Sequence, residues 1–404
     1  MKKKLNVGLI GFGMIGKAHA YGLATLPFFA PGLTVAPRIF GVATSRAETA
    51  EAARRTLGCD LATTDWAALI ENPAVDVVHI CTPNAEHLPA LLAAIRCKKP
   101  IYCEKPVVSK AAEAATLRAA LAETGYDAPT QVAFHLRGFA AVRRAKELIE
   151  SGRLGRLVRY RIGYYHAGAL DASAPFRWKH APNGGTILDL ASHLLDLTDY
   201  LVGLPAELTA TATTLWPTRP VRAIRADETA ADVPTRPVEA EDAVSILTRG
   251  LLRPTGADAA ASDPANPANP AALTGVLEAT KLAAGAEDEM TFEIGGTLGA
   301  VRFSLMEPHY LEFFDGTKPS GPNGGESGWT RIAAGARYEA PESDFPSAKS
   351  TTGWLRAHVA SLATFYRSVS EGGSFGPDLA QGLRIQDALD VVKRSVESRR
   401  WETL

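Results

Sequence analysis

Cysteine is scarce in this chain: four in 404 residues, Cys59, Cys81, Cys97 and Cys103, with no Cys-x-x-Cys pair. That spacing supports neither a zinc site nor a disulfide framework, so no metal is expected and the thiols read as reduced, as in a cytoplasmic protein. Net charge is almost absent as well, at −1. No global field draws nucleic acid or an anionic membrane, and neither is expected as a partner. No apolar run approaches the roughly 18 residues of a membrane span. The opening Met1-Lys2-Lys3-Lys4 and the apolar residues after it resemble a secretory leader. Glycines at 8, 11, 13 and 16 interrupt that run and no small-residue cleavage site follows, which favours a first β-strand.

What is present is an ordinary globular composition, 46% apolar and 22% charged, in a chain too long for one compact core. Two domains are expected, at residues 1–130 and 131–404. The first alternates strand signals (5–10, 38–43, 75–81, 101–103, 130–134) with helix signals (14–26, 46–57, 86–97, 111–123). Such β-α-β units imply a Rossmann-like, doubly wound parallel sheet, hence an α/β fold. The second carries a β-like run at 157–165, a long helix pattern at 186–201, strands near 206–215, 243–252, 273–282, 291–294 and 300–305, and helices at 354–370 and 377–395. These suit an α+β domain on a large, open, mostly antiparallel sheet. The Ala/Pro/Asn/Asp-rich stretch 256–272 reads as a mobile hairpin loop.

Gly11-Phe12-Gly13-Met14-Ile15-Gly16 follows the first strand and opens the first helix. In that context the three glycines serve a tight turn, close backbone approach to a pyrophosphate, and helix–sheet packing. The helix N-terminus offers free N–H groups to the phosphates. The second strand ends in Ser45-Arg46 where an acid would be expected for NAD(H). A hydroxyl beside a guanidinium suits a 2′-phosphate, so NADP(H) is favoured over NAD(H). The competing reading makes Ser45 and Glu48 a capping box and Arg46 a solvated first-turn residue.

Three more motifs identify a family. Cys81-Thr82-Pro83-Asn84 follows the third long strand run, with His87 just beyond; Glu104-Lys105-Pro106 follows the next; Gly184-Gly185-Thr186-Ile187-Leu188-Asp189-Leu190-Ala191-Ser192-His193 opens the long helix. With the glycine turn, they resemble the Gfo/Idh/MocA family, which includes glucose–fructose oxidoreductase and inositol dehydrogenase. The late pattern is similar to a sugar-oxidising branch that contains levoglucosan and glucoside 3-dehydrogenases. The resemblance implies a nicotinamide-dependent oxidoreductase acting on a sugar or polyol hydroxyl. The family also holds redox-neutral enzymes that keep NAD(H) tightly bound, and non-catalytic dinucleotide sensors. The sensors usually lack the lysine or the Asp/His pair that this chain has.

Asp189 and His193 are four apart on the expected helix and share a face with Asp196 and Tyr200, within an arc of about 60°. Oxidising an alcohol requires a base for the hydroxyl proton, and histidine exchanges protons near neutral pH. His193 takes that role, Asp189 orients its ring, and Lys105 hydrogen-bonds the substrate oxygen; the resemblance implies the same three roles. Pro106 stiffens the lysine loop, with a cis bond a possibility at Lys105–Pro106. The motif match places Thr82, Pro83, Asn84 and His87 at the nicotinamide end and Glu104 near the nicotinamide ribose. Asn84 reads equally as a helix N-cap, and His87 as a core histidine. Tyr165, Arg177 and Trp178 offer sugar-binding groups, or are ordinary sheet-face residues. His135 stands where relatives often have asparagine or tyrosine, at the pocket border. An open sheet needs its uncovered face buried, and relatives usually tetramerise through it, so a homo-oligomer, dimer or tetramer, is expected.

Overall fold

The computed structural model describes residues 2–252 and 273–404. The loop expected at 256–272 lies outside the described residues. The chain divides into two units, one of Met1–Ala140 with Gly335–Gln386, the other of Ala141–Ala334 with Asp387–Leu404. Among the described residues no helix is long and apolar enough to cross a membrane.

The first unit is the Rossmann fold anticipated above. Strands β1 (Lys3–Ile10), β2 (Val35–Ala43), β3 (Leu61–Thr63), β4 (Val77–Ile80), β5 (Ile101–Cys103) and β6 (Thr130–Val132) form one parallel sheet in the order β3-β2-β1-β4-β5-β6. Helices α1 (Met14–Phe29), α2 (Ala47–Leu57), α3 (Trp66–Glu71), α4 (His87–Arg96) and α5 (Ala111–Thr124) connect them. Strand order reverses between β1 and β4, and ligands of such sheets collect at the carboxyl ends beside that point. Local chemistry sets the helix ends. Asp65 caps α3 by accepting the Ala68 N–H at 3.0 Å. Gly58 and Gly125 close α2 and α5 with φ of 62° and 53°.

The expected boundary at residue 130 does not hold. Helix α8 (Trp354–Glu371) belongs to this unit, because Val359, Ala360, Leu362, Phe365 and Tyr366 complete the core built by Leu5, Val7, Leu26, Phe29 and Val77. At about 1.5–3 kcal/mol per fully buried large side chain, that layer is a main contribution to the unit's stability. Gly22 lets α1 approach α8, since a Cβ there would lie 2.4 Å from Leu362 Cδ1.

In the second unit β7 (Leu157–Tyr165), β8 (Glu207–Thr213), β11 (Ala243–Arg249), β12 (Thr274–Thr280), β13 (Glu289–Gly296), β14 (Gly299–Ser304), β15 (Tyr310–Asp315), β16 (Trp329–Ala333) and β17 (Glu402–Thr403) form a nine-stranded sheet. Only the β12–β7 pairing is parallel. Two short strands, β9 (Thr218–Pro220) and β10 (Thr235–Pro237), form a separate hairpin-like pair. The long sheet is one-sided: β11 buries Val244, Ile246 and Thr248 and exposes Ser245, Leu247 and Arg249. Helix α6 (Ala140–Glu150) precedes β7, and α9 (Leu379–Ser398) carries the chain back from the first unit to the second.

The expected helix at 186–201 is not uniform. It opens as a π-helical turn, Ile187–Ala191, and continues as α7 (Ser192–Leu201). Widened turns of this kind recur at functional sites.

Candidate active site

The glycine turn has the geometry a dinucleotide needs. Gly11 has φ 91°, and a Cβ there would lie 2.5 Å from the Cys81 carbonyl oxygen. A Cβ on Gly16 would lie 2.3 Å from the Gly11 oxygen. Gly13 differs: its Cβ would meet nothing within 4 Å, so the space beside the N-terminus of α1 is open. Phe12 and Ile15 pack on the small core of Leu9, Val42 and Cys81, while Met14 is exposed. An open cradle at Gly13, flanked by two glycines that are needed for packing, fits a pyrophosphate group.

Ser45 and Arg46 are exposed at the end of β2. The capping box expected of Ser45 and Glu48 is absent. Arg46 itself is the N-cap of α2 and caps with no side-chain bond. Thr44 takes over local bonding instead, its hydroxyl donating to the Arg46 carbonyl at 3.0 Å and lying 2.6 Å from the Thr49 hydroxyl. The Ser45 and Arg46 side chains are thereby left facing solvent.

The loop after β4 brings Thr82, Pro83 and Asn84 to the carboxyl edge of the sheet. The Thr82 hydroxyl is buried with no hydrogen-bond partner among the described residues, a second sign of a group supplied from outside the chain. Asn84 is buried and begins a 3₁₀ turn, Asn84–Glu86; the N-cap of α4 is Glu86, so the capping role read for Asn84 is not realised. His87 is also not placed as a cofactor contact. It is fully buried, with Nε2 at 3.0 Å from the Thr82 carbonyl and Nδ1 at 2.8 Å from the Pro106 carbonyl. Burial pulls its pKa down, against both carbonyls, and a neutral ring, with one N–H, donates to only one of them at a time.

Lys105 follows β5 on a half-buried turn, with a cis peptide to Pro106. Its backbone N–H donates to Glu104 Oε2 at 3.3 Å. Glu104 is buried, and its other oxygen faces His19 Nε2 at 3.0 Å. Burial opposes its ionisation, but the hydrogen bond from His19, with the charge of Lys105, outweighs burial and holds its pKa below the usual carboxyl value. His135 lies in the same unit, not at an open border. It is 4% exposed and stacks on His358 with ring centroids 3.9 Å apart, beside Trp354.

In the second unit, Glu241 builds the turn that carries Asp189. Its Oε1 accepts the Ile187 N–H at 2.6 Å and fills the space a Cβ on Gly185 would need. Asp189 is half-exposed, and Lys281 Nζ donates to its Oδ2 at 2.8 Å. His193 is 3% exposed, 5.9 Å from the Tyr164 ring. Tyr164 donates to Asp288 Oδ1 at 2.8 Å; burial, then the charges of Asp288 and Asp189, push its pKa up. Tyr165, expected at the substrate, points the other way. Successive strand residues face opposite sides, and its hydroxyl donates to Glu278 at 3.3 Å on the open face. Arg177 and Trp178 are exposed next to buried His180. His180 is pushed down to about 4 by burial first, then by the charges of Arg219, Lys179, Lys281 and Arg177. Lys281 and Glu241 are the residues that motif reading missed as site groups. The signal for Lys281 is a lysine just past an alternating strand, as Lys105 follows β5.

A parallel sheet with an open glycine cradle at its switch point, joined in one chain to an α+β unit, is an architecture of nicotinamide-dependent oxidoreductases. The comparisons agree. Residues 5–128 match the oxidoreductase family with an NAD-binding Rossmann fold, and residues 142–250 match the GFO/IDH/MocA C-terminal domain. The chain is 30% identical over 409 residues to levoglucosan dehydrogenase of Pseudarthrobacter phenanthrenivorans, covering 99% of this chain and 98% of that protein. It is 26% identical to inositol 2-dehydrogenase of Rhizobium meliloti, covering 97% of each. Among solved structures, levoglucosan dehydrogenase in complex with NADH and levoglucosan superposes with TM-score 0.84 at 27% identity, covering 99% of each chain. An oxidoreductase domain protein from Kribbella flavida superposes with TM-score 0.87 at 26% identity, covering 100% of this chain and 99% of that one. The chain belongs to the Gfo/Idh/MocA family of oxidoreductases.

Proposed function

We propose that this chain is a dehydrogenase that oxidises a secondary hydroxyl of a sugar, glycoside, anhydrosugar or inositol. The observation that supports it most is its end-to-end likeness to a levoglucosan dehydrogenase, with inositol dehydrogenases also related. What those named substrates share is a secondary alcohol on a polyhydroxylated ring. The nicotinamide, when bound, is the hydride acceptor. Gly11, Phe12, Gly13, Met14, Ile15 and Gly16 hold its pyrophosphate; Thr82, Pro83, Asn84, Glu104 and Lys105 border its nicotinamide end; Ser45 and Arg46 favour a 2′-phosphate, hence NADP(H). His193 removes the hydroxyl proton, and Asp189 orients and charge-balances the ring. Lys281 keeps the Asp189 carboxylate fixed, and Lys105 donates to the reacting oxygen. Arg177 and Trp178, both exposed, provide a donor fork and an aromatic face for the sugar. We place self-association, as dimer or tetramer, on the open face of the second sheet.

The test is a panel of inositols, hexoses, glucosides and anhydrosugars with NAD and NADP, followed by absorbance of the reduced nicotinamide. His193→Ala should lower turnover by about 10²–10⁴-fold, the usual worth of a general base, while still binding NADH. A variant with full activity removes His193 from the mechanism. A wild-type protein inert on the whole panel removes the substrate class.

A further inference from the structure

Four titratable side chains lie in a line inside the first unit, and the chemistry above uses only the last of them. The Tyr366 hydroxyl is 3.0 Å from His79 Nε2. His79 Nδ1 is 3.2 Å from His19 Nδ1, and His19 Nε2 is 3.0 Å from Glu104 Oε1. The Cys81 thiol also faces His19 Nδ1, at 3.0 Å. Tyr366, His79 and His19 are 0% exposed and Glu104 6%.

The distances fix where the hydrogens go, by satisfaction of the network. An ionised Glu104 only accepts, so His19 carries its proton on Nε2. His19 then presents its one lone pair at Nδ1, which accepts the His79 Nδ1–H, with the Cys81 thiol in contact beside it. Neutral His79 presents its lone pair at Nε2, which accepts from Tyr366. Burial first holds the His79 pKa well below the usual value and keeps the Cys81 thiol protonated. The reverse direction would make His19 a cation and leave the Tyr366 proton buried with no acceptor among the described residues. Every donor in the chain therefore points towards Glu104, and bonds aligned this way polarise one another.

Glu104 closes β5, on the β4–β5 side of the switch point. His19 lies on α1, the helix whose N-terminus is the phosphate cradle. The groups facing Glu104 are His19, His87, His358, Lys105, Cys81, Cys103 and Tyr102. Lys105 is the half-buried cation of that set, open on one side to solvent, whereas the carboxylate is enclosed where charge is less screened. Oxidised nicotinamide is a cation and reduced nicotinamide is neutral, so a buried anion tells them apart.

We propose that the Tyr366–His79–His19 chain holds Glu104 as an anion at the nicotinamide end, and that this anion shifts cofactor affinity towards the oxidised form. The three residues behind Glu104 are positioning residues. They favour loading of the oxidised cofactor and release of the reduced one while making the bound form a weaker hydride acceptor, and this rests on the dehydrogenase reading.

The experiment measures dissociation constants of NAD+ and NADH, and of NADP+ and NADPH, without substrate, for wild type, Glu104→Gln and Tyr366→Phe. In Glu104→Gln the ratio of oxidised to reduced Kd should rise about tenfold, the scale of one removed charge in a partly screened site. In Tyr366→Phe it should rise about two- to threefold, as expected when one bond of a cooperative chain is lost. Partial misfolding lowers both affinities alike and leaves the ratio unmoved. An unchanged ratio in Glu104→Gln overturns the anion's role. A shift in Glu104→Gln with Tyr366→Phe at the wild-type ratio overturns the chain behind it. Because no polyol is present, failure of the substrate panel leaves this result standing, whereas a protein that binds neither nucleotide form overturns both readings.

Discussion

The three glycines of the first turn should separate stability from binding. Alanine at Gly11 meets a φ of 91° and a carbonyl oxygen 2.5 Å from its Cβ. The left-handed backbone costs about 1–2 kcal/mol and the overpacking about 1–3 kcal/mol, so Gly11→Ala should lose about 2–5 kcal/mol. Gly16→Ala forces a Cβ to within 2.3 Å of the Gly11 oxygen at an ordinary φ, and should lose about 1–3 kcal/mol. Gly13→Ala meets no atom within 4 Å and has φ −74°, which alanine adopts freely. It should keep full stability or gain about 0.4–1 kcal/mol by restricting the unfolded chain. Its methyl group, however, occupies the space through which the backbone approaches the pyrophosphate, so NADH affinity should fall about tenfold or more. Urea unfolding gives the first quantity and NADH fluorescence titration the second. A Gly13→Ala protein that binds NADH like wild type, or unfolds as easily as Gly16→Ala, refutes the cradle.

Arg46→Ala should raise the Kd of NADPH about tenfold, as for a lost charge-assisted phosphate contact, and leave NADH nearly unchanged; equal effects on both would end the 2′-phosphate argument. His180 has a folded pKa of about 4 against an ordinary 6.5, so the unfolded chain takes up its proton first. Its contribution is therefore full above pH 6.5 and is lost as pH falls towards 4, by up to about 3 kcal/mol; urea midpoints of His180→Asn should lack that part of the pH slope, and parallel slopes would contradict it. Both ring nitrogens of His358 are buried without a hydrogen-bond partner among the described residues. Phe fits the same stack without that cost, so His358→Phe should raise stability by about 1–3 kcal/mol, and a marked loss in thermal unfolding would show a hidden partner.

How far the sequence was legible depended on the range of the interaction that decides each feature. The parallel sheet and its glycine turn were legible because periodicity and turn chemistry are local: β5 and α5 fall within a residue of their expected ends. The edge strand β16 carries too little alternation to be seen, its neighbour β15 is a short run of six residues, and β9 and β10 are only three residues each. The widened turn at Ile187–Ala191 has no local sequence marker, since it is held from outside by Glu241, 54 residues away. Still larger separations in sequence hid Lys281 on Asp189, and the line from Tyr366 to Glu104. Tyr164 and Tyr165 look alike in sequence, while the strand sends only Tyr164 to the His193 side.

The first unit is not contiguous, and this governs when it can exist. A ribosome releases β1 to β6 long before it has made α8, some 200 residues further on. Until then one flank of α1, including Leu26 and Phe29, has no cover. The nucleotide-binding half of this enzyme therefore completes late in translation, after nearly all of the other half has emerged, and its apolar flank stays open until then.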